Sequence, residues 1–226
     1  MNLQQAIESV ARSGWLSRQP MSFVQNLRDI CELRPLKAGE RLTSLGDPGG
    51  SILGLASGTL NVFIASGPFP PFLCYIAHPG WWTGEAAAAT QSARRVEQVA
   101  RVDCQILVIP SKGLRDLVLK DPETWRRLEE ITVGHMDHAL ELACIRGGSD
   151  KWIQTVSTLL RLANQFPADQ KQVEINVKQA EIAEMAGLSR NSVGPVLSAL
   201  TQNGAVTQRY GALLVDRDKL SKALPN

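Results

Sequence analysis

The segment from Gln179 to Ser198, Gln-Ala-Glu-Ile-Ala-Glu-Met-Ala-Gly-Leu-Ser-Arg-Asn-Ser-Val-Gly-Pro-Val-Leu-Ser, constrains this chain more than any other. Ile182, Ala183 and Ala186 form the inner face of a first helix, with Ala183 small where a second helix must cross it. Gly187 supplies the tight turn, because a positive φ costs glycine little. Leu188 plugs the corner and Ser189 is a good N-cap for the next helix. Val193, Val196, Leu197 and Leu200 then return at the three- and four-residue spacing of an inward helix face. Small residue, glycine and apolar positions all fall where two helices crossing near a right angle need them. The layout is a helix-turn-helix, and it points to DNA binding.

Composition sets wider bounds. At 226 residues, two domains are expected, and 44% hydrophobic residues can fill real cores. A net charge of +2 is modest for a DNA binder, so the positive field must be local. The first ten residues lack the basic start and apolar run of a signal peptide, and no segment has the apolar length of a membrane span. Cys31, Cys74, Cys104 and Cys144 are far apart, without Cys-x-x-Cys or metal-finger spacing. A soluble cytoplasmic protein with reduced thiols, no membrane partner and no metal site is expected. There is no phosphate loop and no nucleophile elbow, and three histidines leave little base chemistry. No enzyme, and no catalytic residue, is expected.

Along the chain, Leu3, Ile7 and Val10 share one helical face, and a second short helix is expected around 23–30. From Leu33 the texture changes to short β-prone runs punctuated by glycine, the pattern of a β-sandwich or roll. Runs 60–64 and 72–76 flank a hairpin tip, Ser66-Gly-Pro-Phe-Pro-Pro71, and 99–110 is the last strand region. Asp121-Pro122-Glu123 then opens a long helix: Asp as cap, Pro at the first helical position, Glu against the dipole. Two seams run along it: Trp125, Leu128, Thr132, His135, Ala139 and Leu142; and Leu128, Ile131, His135, His138, Leu142 and Ile145. Either suits a two-helix contact between copies; the alternative is that this face packs on its own β-domain. Gly147-Gly148-Ser149 breaks the helix as a hinge. A further helix over 152–166 leads into the helix-turn-helix, and 205–215 reads as two strands turning near Tyr210-Gly211, a wing. The expected division is 1–120 for a β-roll sensor domain, 121–147 for a dimerisation helix and hinge, and 148–226 for a winged helix-turn-helix.

In this order the chain resembles the family of the cyclic-AMP receptor protein and the fumarate-nitrate regulator (CRP/FNR) over nearly its whole length. The β-domain marks are Lys37-Ala-Gly-Glu40, Gly46-Asp47-Pro48, Ser57-Gly58 and His78-Pro-Gly-Trp-Trp-Thr-Gly-Glu85; the DNA-domain marks are Leu188-Ser-Arg-Asn-Ser-Val-Gly194 and Val215-Asp-Arg-Asp-Lys-Leu220. The resemblance implies an α+β fold with a cyclic-nucleotide-binding-type β-roll (a double-stranded β-helix or jelly roll), a long dimerisation helix and a winged helix-turn-helix. It also implies a homodimeric transcription factor reading two half-sites of palindromic DNA about one turn apart, with RNA polymerase as a further partner.

The family's recognition helix offers an acidic residue and, four positions later, an arginine to base edges, often with an arginine just before the acid. The matching positions here are Arg190, Asn191 and Pro195. Arg190 suits guanine or phosphate, and Asn191 fits the N6/N7 edge of adenine. Pro195 deletes the guanine-reading arginine and disturbs the helix, through either a kink or a start near Ser192. A DNA site unlike that of the cyclic-AMP receptor protein is expected. Lys178, Gln179, Ser189, Ser192 and Arg209 are candidate phosphate contacts, against the alternative of solvated surface residues.

In cyclic-nucleotide-binding members of the family, a Gly-Glu pair holds ribose, an Arg-Ser or Arg-Thr pair grips the phosphate, and a polar pair on the long helix meets adenine. Gly84-Glu85 fits the first and Arg94 the second, but Arg95 stands where the hydroxyl belongs; the adenine positions fall near His135-Met136. A second cation still suits an anion, so an effector other than cyclic AMP, or none, is expected. A cyclic-nucleotide-responsive activator is the alternative. Haem is a further alternative through His78, His135 and His138, but the cysteine cluster of an iron–sulfur centre is absent. A third reading is a ligand-binding sensor whose kinked helix-turn-helix docks a protein instead of DNA.

Overall fold

The structure, a computed structural model, describes residues 1–225. It divides into two compact units, one of residues 1–71 with 76–137 and one of residues 72–75 with 138–226. The division falls inside the long helix, between Asp137 and His138, whereas the sequence reading placed boundaries after 120 and after 147.

The first unit opens with helices α1 (Leu3–Val10) and α2 (Met21–Ile30). Asn2 caps α1, its side chain accepting from the Gln5 amide while the Gln5 side chain accepts from the Asn2 amide. The strands are β1 (Glu32–Leu36), β2 (Arg41–Thr43), β3 (Ile52–Ser57), β4 (Leu60–Ile64), β5 (Phe72–Ala77, whose first four residues count with the second unit), β6 (Trp82–Thr83), β7 (Val96–Ala100) and β8 (Cys104–Ile109). The expected last strand region is thus two strands. They form two four-stranded sheets, ordered β1-β8-β3-β6 and β2-β7-β4-β5. The register is antiparallel, with Leu53 opposite Val108 and Val62 opposite Gln98. A short helix α3 (Glu85–Thr90) follows β6, and α4 (Ser111–Lys120) follows β8. The apolar faces of α1, α2 and α4 close on Ile52, Leu107 and Ile109, and Trp15 meets Trp82 edge-to-face with ring centres 5.4 Å apart.

The long helix α5 runs over Glu123–Gly147. Asp121 caps it as expected, its carboxylate accepting from the Glu123 amide at 3.1 Å. The expected dimer seam is corrected here. Leu128 and Ile131 belong to the core of the first unit, and Leu142 is buried within the chain. Thr132 and His135 are half-buried; of the expected seam only Trp125 and Ala139 stand exposed. The face packs on its own chain, which is the alternative the spacing allowed. A different line is open: Val133, Met136, Leu140, Ala143 and Gly147, at alternating three- and four-residue steps.

The second unit carries α6 (Lys151–Ala163), β9 (Gln172–Ile175), α7 (Gln179–Ala186), α8 (Arg190–Gln202), β10 (Val206–Arg209), β11 (Ala212–Asp216) and α9 (Arg217–Lys222). Gly148 follows the end of α5, and the Asp150 carboxylate caps α6 through the Trp152 and Ile153 amides. A three-stranded sheet, β10-β11-β9, forms the wing. The sequence reading found its hairpin and missed β9, although Val173, Ile175 and Val177 alternate inward. Arg161 of α6 is almost wholly buried: it donates to the carbonyls of Cys74 and His138 and lies over the Tyr75 ring.

Candidate functional site

The helix-turn-helix is built as its residues dictate. Ile182, Ala183, Met185 and Ala186 of α7 are buried against Val193, Val196, Leu197 and Leu200 of α8. Gly187 adopts φ 70°, ψ 28°, and the Leu188 amide donates back to the Ala183 carbonyl at 2.8 Å. This is a glycine C-terminal cap. Ser189 caps α8, its hydroxyl accepting from the Ser192 amide at 3.2 Å. That cap fixes the helix start at Arg190, not near Ser192, so Pro195 lies inside the helix.

The opposite face of α8 is open. Arg190, Asn191, Pro195, Ser198 and Gln202 are exposed, as is Lys178 at the start of α7. Two expected phosphate contacts have other duties. Gln179 donates its amide to the Arg190 carbonyl at 2.8 Å, bracing α7 on the first turn of α8. Gly194 makes this approach feasible, since a Cβ there would lie 2.8 Å from the Gln179 amide nitrogen. Arg209 is exposed but paired with Glu174 of β9. Ser192 hydrogen-bonds to Ser189 through both its amide and its hydroxyl. Tyr210, at the wing tip, is fully exposed. The sequence reading used it only as a turn marker.

In the first unit, Gly84 has φ 97° and leads into α3. A Cβ there would lie 2.6 Å from the Ser51 carbonyl and 2.8 Å from Arg94 Nη1, so glycine is needed for the close approach. Arg94 is buried and donates to the Ser51 carbonyl and hydroxyl, both at 3.0 Å. Burial pulls its pKa down, opposed by the carboxylates of Asp47 and Glu85. Glu85 is only 4% exposed. Its Oε1 lies 3.1 Å from His135 Nδ1 and 3.5 Å from Thr132 Oγ1, while Oε2 has no hydrogen-bond partner among the described residues. The His135 ring also packs on Trp81. Arg95 does not join this group. Successive residues entering β7 alternate in direction, so Arg94 is buried and Arg95 exposed, and the expected pair of cations does not form.

One interior group escaped the sequence reading. Gln98 of β7 is wholly buried beside Val62, and neither atom of its amide has a hydrogen-bond partner among the described residues. Its inward position was legible only from the alternation of Gln98 and Ala100 with their half-buried neighbours. Of the other histidines, His138 packs on Tyr75, and burial with the nearby Arg101 charge pushes His78 down to about 4.

Comparison with known proteins places these features. A cyclic nucleotide-binding domain model matches residues 33–121, and a Crp-like helix-turn-helix domain model matches residues 154–223. The chain belongs to the CRP/FNR family. It is a transcriptional regulator of that type, joining a DNA-binding helix-turn-helix to a cyclic-nucleotide-binding-type domain. Among its relatives is the transcriptional activator protein Anr of Pseudomonas aeruginosa, 26% identical over 198 residues, which are 83% of this chain and 80% of Anr. FixK2 of Bradyrhizobium japonicum shares the fold with a TM-score of 0.75 at 15% identity, over 87% of this chain and 98% of FixK2. So does CLP, the c-di-GMP-responsive global regulator of Xanthomonas campestris, with a TM-score of 0.66 at 20% identity, over 87% and 99% of the two chains. Gly84, Glu85 and Arg94 stand together in the first unit, and Arg95, the residue after the arginine, faces outward.

Proposed function

We propose that this regulator binds double-stranded DNA as a homodimer at a palindromic site unlike that of the cyclic-AMP receptor protein, and that its β-roll answers to an anion other than cyclic AMP or to no ligand. One observation carries the DNA half: α8 runs unbroken from a serine cap through Pro195 and leaves Arg190, Asn191 and Pro195 exposed on one face. A helix that survives its proline remains fit to enter a major groove, which favours DNA over a protein-docking role. The effector half follows from Glu85, which already holds His135 and Thr132, and from Arg95, which points away from Arg94. A ribose would have to displace the first pair, and a cyclic phosphate would lack the expected hydroxyl beside its arginine.

The homodimer would form along Val133, Met136, Leu140 and Ala143, the open line of α5. RNA polymerase would be the partner that senses occupancy, in the cytoplasm. No described helix is long and apolar enough to cross a membrane.

Selection of bound fragments from a genomic DNA pool, with and without cyclic AMP, tests both halves. One palindromic motif recovered equally in both arms is the expected result. A motif recovered only with the nucleotide would overturn the effector reading, and a selected site bearing the cyclic-AMP receptor protein's own consensus would overturn the DNA reading.

A further inference from the structure

The exposed face of α8 does more than lack an arginine. Asn191 and Pro195 are four residues apart, one above the other on the same face. Val193, Val196, Leu197 and Leu200 take the opposite face into the core. Nothing in the core asks for Pro195, since its ring lies in solvent. Its neighbour Ser198 uses its hydroxyl on the Gly194 carbonyl at 3.1 Å. The pyrrolidine ring has no donor and no acceptor, so an apolar contact is all it can offer a base edge. In the major groove the apolar group on offer is the 5-methyl of thymine. The Asn191 carboxamide, one turn earlier, matches the N6/N7 edge of adenine.

We infer that Pro195 is a base-reading residue that packs on a thymine methyl about two base steps from the adenine read by Asn191. This rests on the reading of α8 as the recognition helix. The four residues from Asn191 to Pro195 advance about 6 Å and one base pair about 3.4 Å, so the two bases lie about two steps apart. Each half-site therefore carries A·T pairs at both positions, where a helix bearing arginine would call for G·C at the second. Arg190, at the first position of α8, remains for guanine or phosphate.

The test uses the full-length protein and the motif recovered by selection. Each thymine of one half-site is replaced singly by deoxyuridine, which deletes only the methyl, and affinity is read by fluorescence anisotropy. The wild-type protein should lose about fourfold at one thymine near the adenine, the worth of one buried methyl group. Pro195→Ser should still bind, with no difference between thymine and uracil at that position. Pro195→Arg should shift preference there to G·C in a repeated selection. Circular dichroism checks that both variants fold, as helices freed of an interior proline should. Uracil tolerated by the wild type at every thymine, or a penalty retained in Pro195→Ser, overturns the inference and leaves DNA binding intact. Recovery of no motif would overturn DNA binding itself, and the inference with it.

Discussion

Gln98 is a costly residue inside the roll. A buried amide with neither donor nor acceptor paired forfeits its hydration and gains nothing in return. Methionine has nearly the same shape without the polar atoms. Gln98→Met should therefore stabilise the ligand-free protein by about 1–3 kcal/mol in urea unfolding. A loss of stability would mean that the amide is satisfied, and would point to a bound effector. His78 makes a second, pH-dependent mark. Its folded pKa is about 4, below the ordinary 6.5, because of burial and then Arg101. Between these values the unfolded chain takes up a proton that the folded chain refuses. Stability should thus fall as pH drops from about 6.5 towards 4 and lose nothing further from this group below that. Comparing urea midpoints of the wild type and His78→Gln isolates the effect: the variant should lack that part of the slope. Parallel curves would show that His78 does not sense the change.

At the scale of elements, α8 and α5 show why some of this molecule was legible and some was not. The helix-turn-helix could be read because its constraints are local: Gly187 must turn, Ser189 must cap, and Ala183 must be small. The wing hairpin was read from Tyr210-Gly211 for the same reason. Glu85, Gly84 and Arg94 were found through family resemblance, and they do gather. Arg95 failed because facing in a strand depends on register, which a motif does not carry. The α5 seam failed differently. Leu128, Ile131 and Leu142 are the more apolar set, so pattern alone favoured them as an interface, but the same strength of burial is what the chain's own core uses. Val133, Met136 and Leu140 are the residue types left over, and only the folded chain shows that they are open. Pro195 offers a test at this scale. With Ser189 as cap, its missing amide leaves the Asn191 carbonyl without an intrahelical partner, and its ring crowds that carbonyl. Pro195→Ala should raise the melting temperature, by up to about 3 kcal/mol in stability. A lower melting temperature would mean that α8 is bent to fit its proline and needs it.

At the scale of the whole molecule, the open line of α5 is what an assembled regulator would use. Val133, Met136 and Leu140 are 45%, 54% and 57% exposed, too much apolar surface on one helix to be left to water without reason. Their spacing, continued by Ala143 and Gly147, fits a two-helix seam whose C-terminal end has small side chains. A homodimer formed there would call for a palindromic DNA site, because two linked recognition helices would bind the second half-site at high effective concentration. The pair Met136→Glu with Leu140→Glu sets like charges against each other across that seam while touching no buried residue. Light scattering should show its mass halved, and affinity for the full palindrome should fall on the order of a hundredfold, with affinity for one half-site unchanged. Leu128→Ala is the contrasting variant. Its side chain lies in the core of its own unit, so it should cost about 2–5 kcal/mol of stability and leave the mass at a concentration where the protein is folded unaltered. A double variant that keeps the wild-type mass would remove the seam from α5 and return the interface to some other surface of the chain.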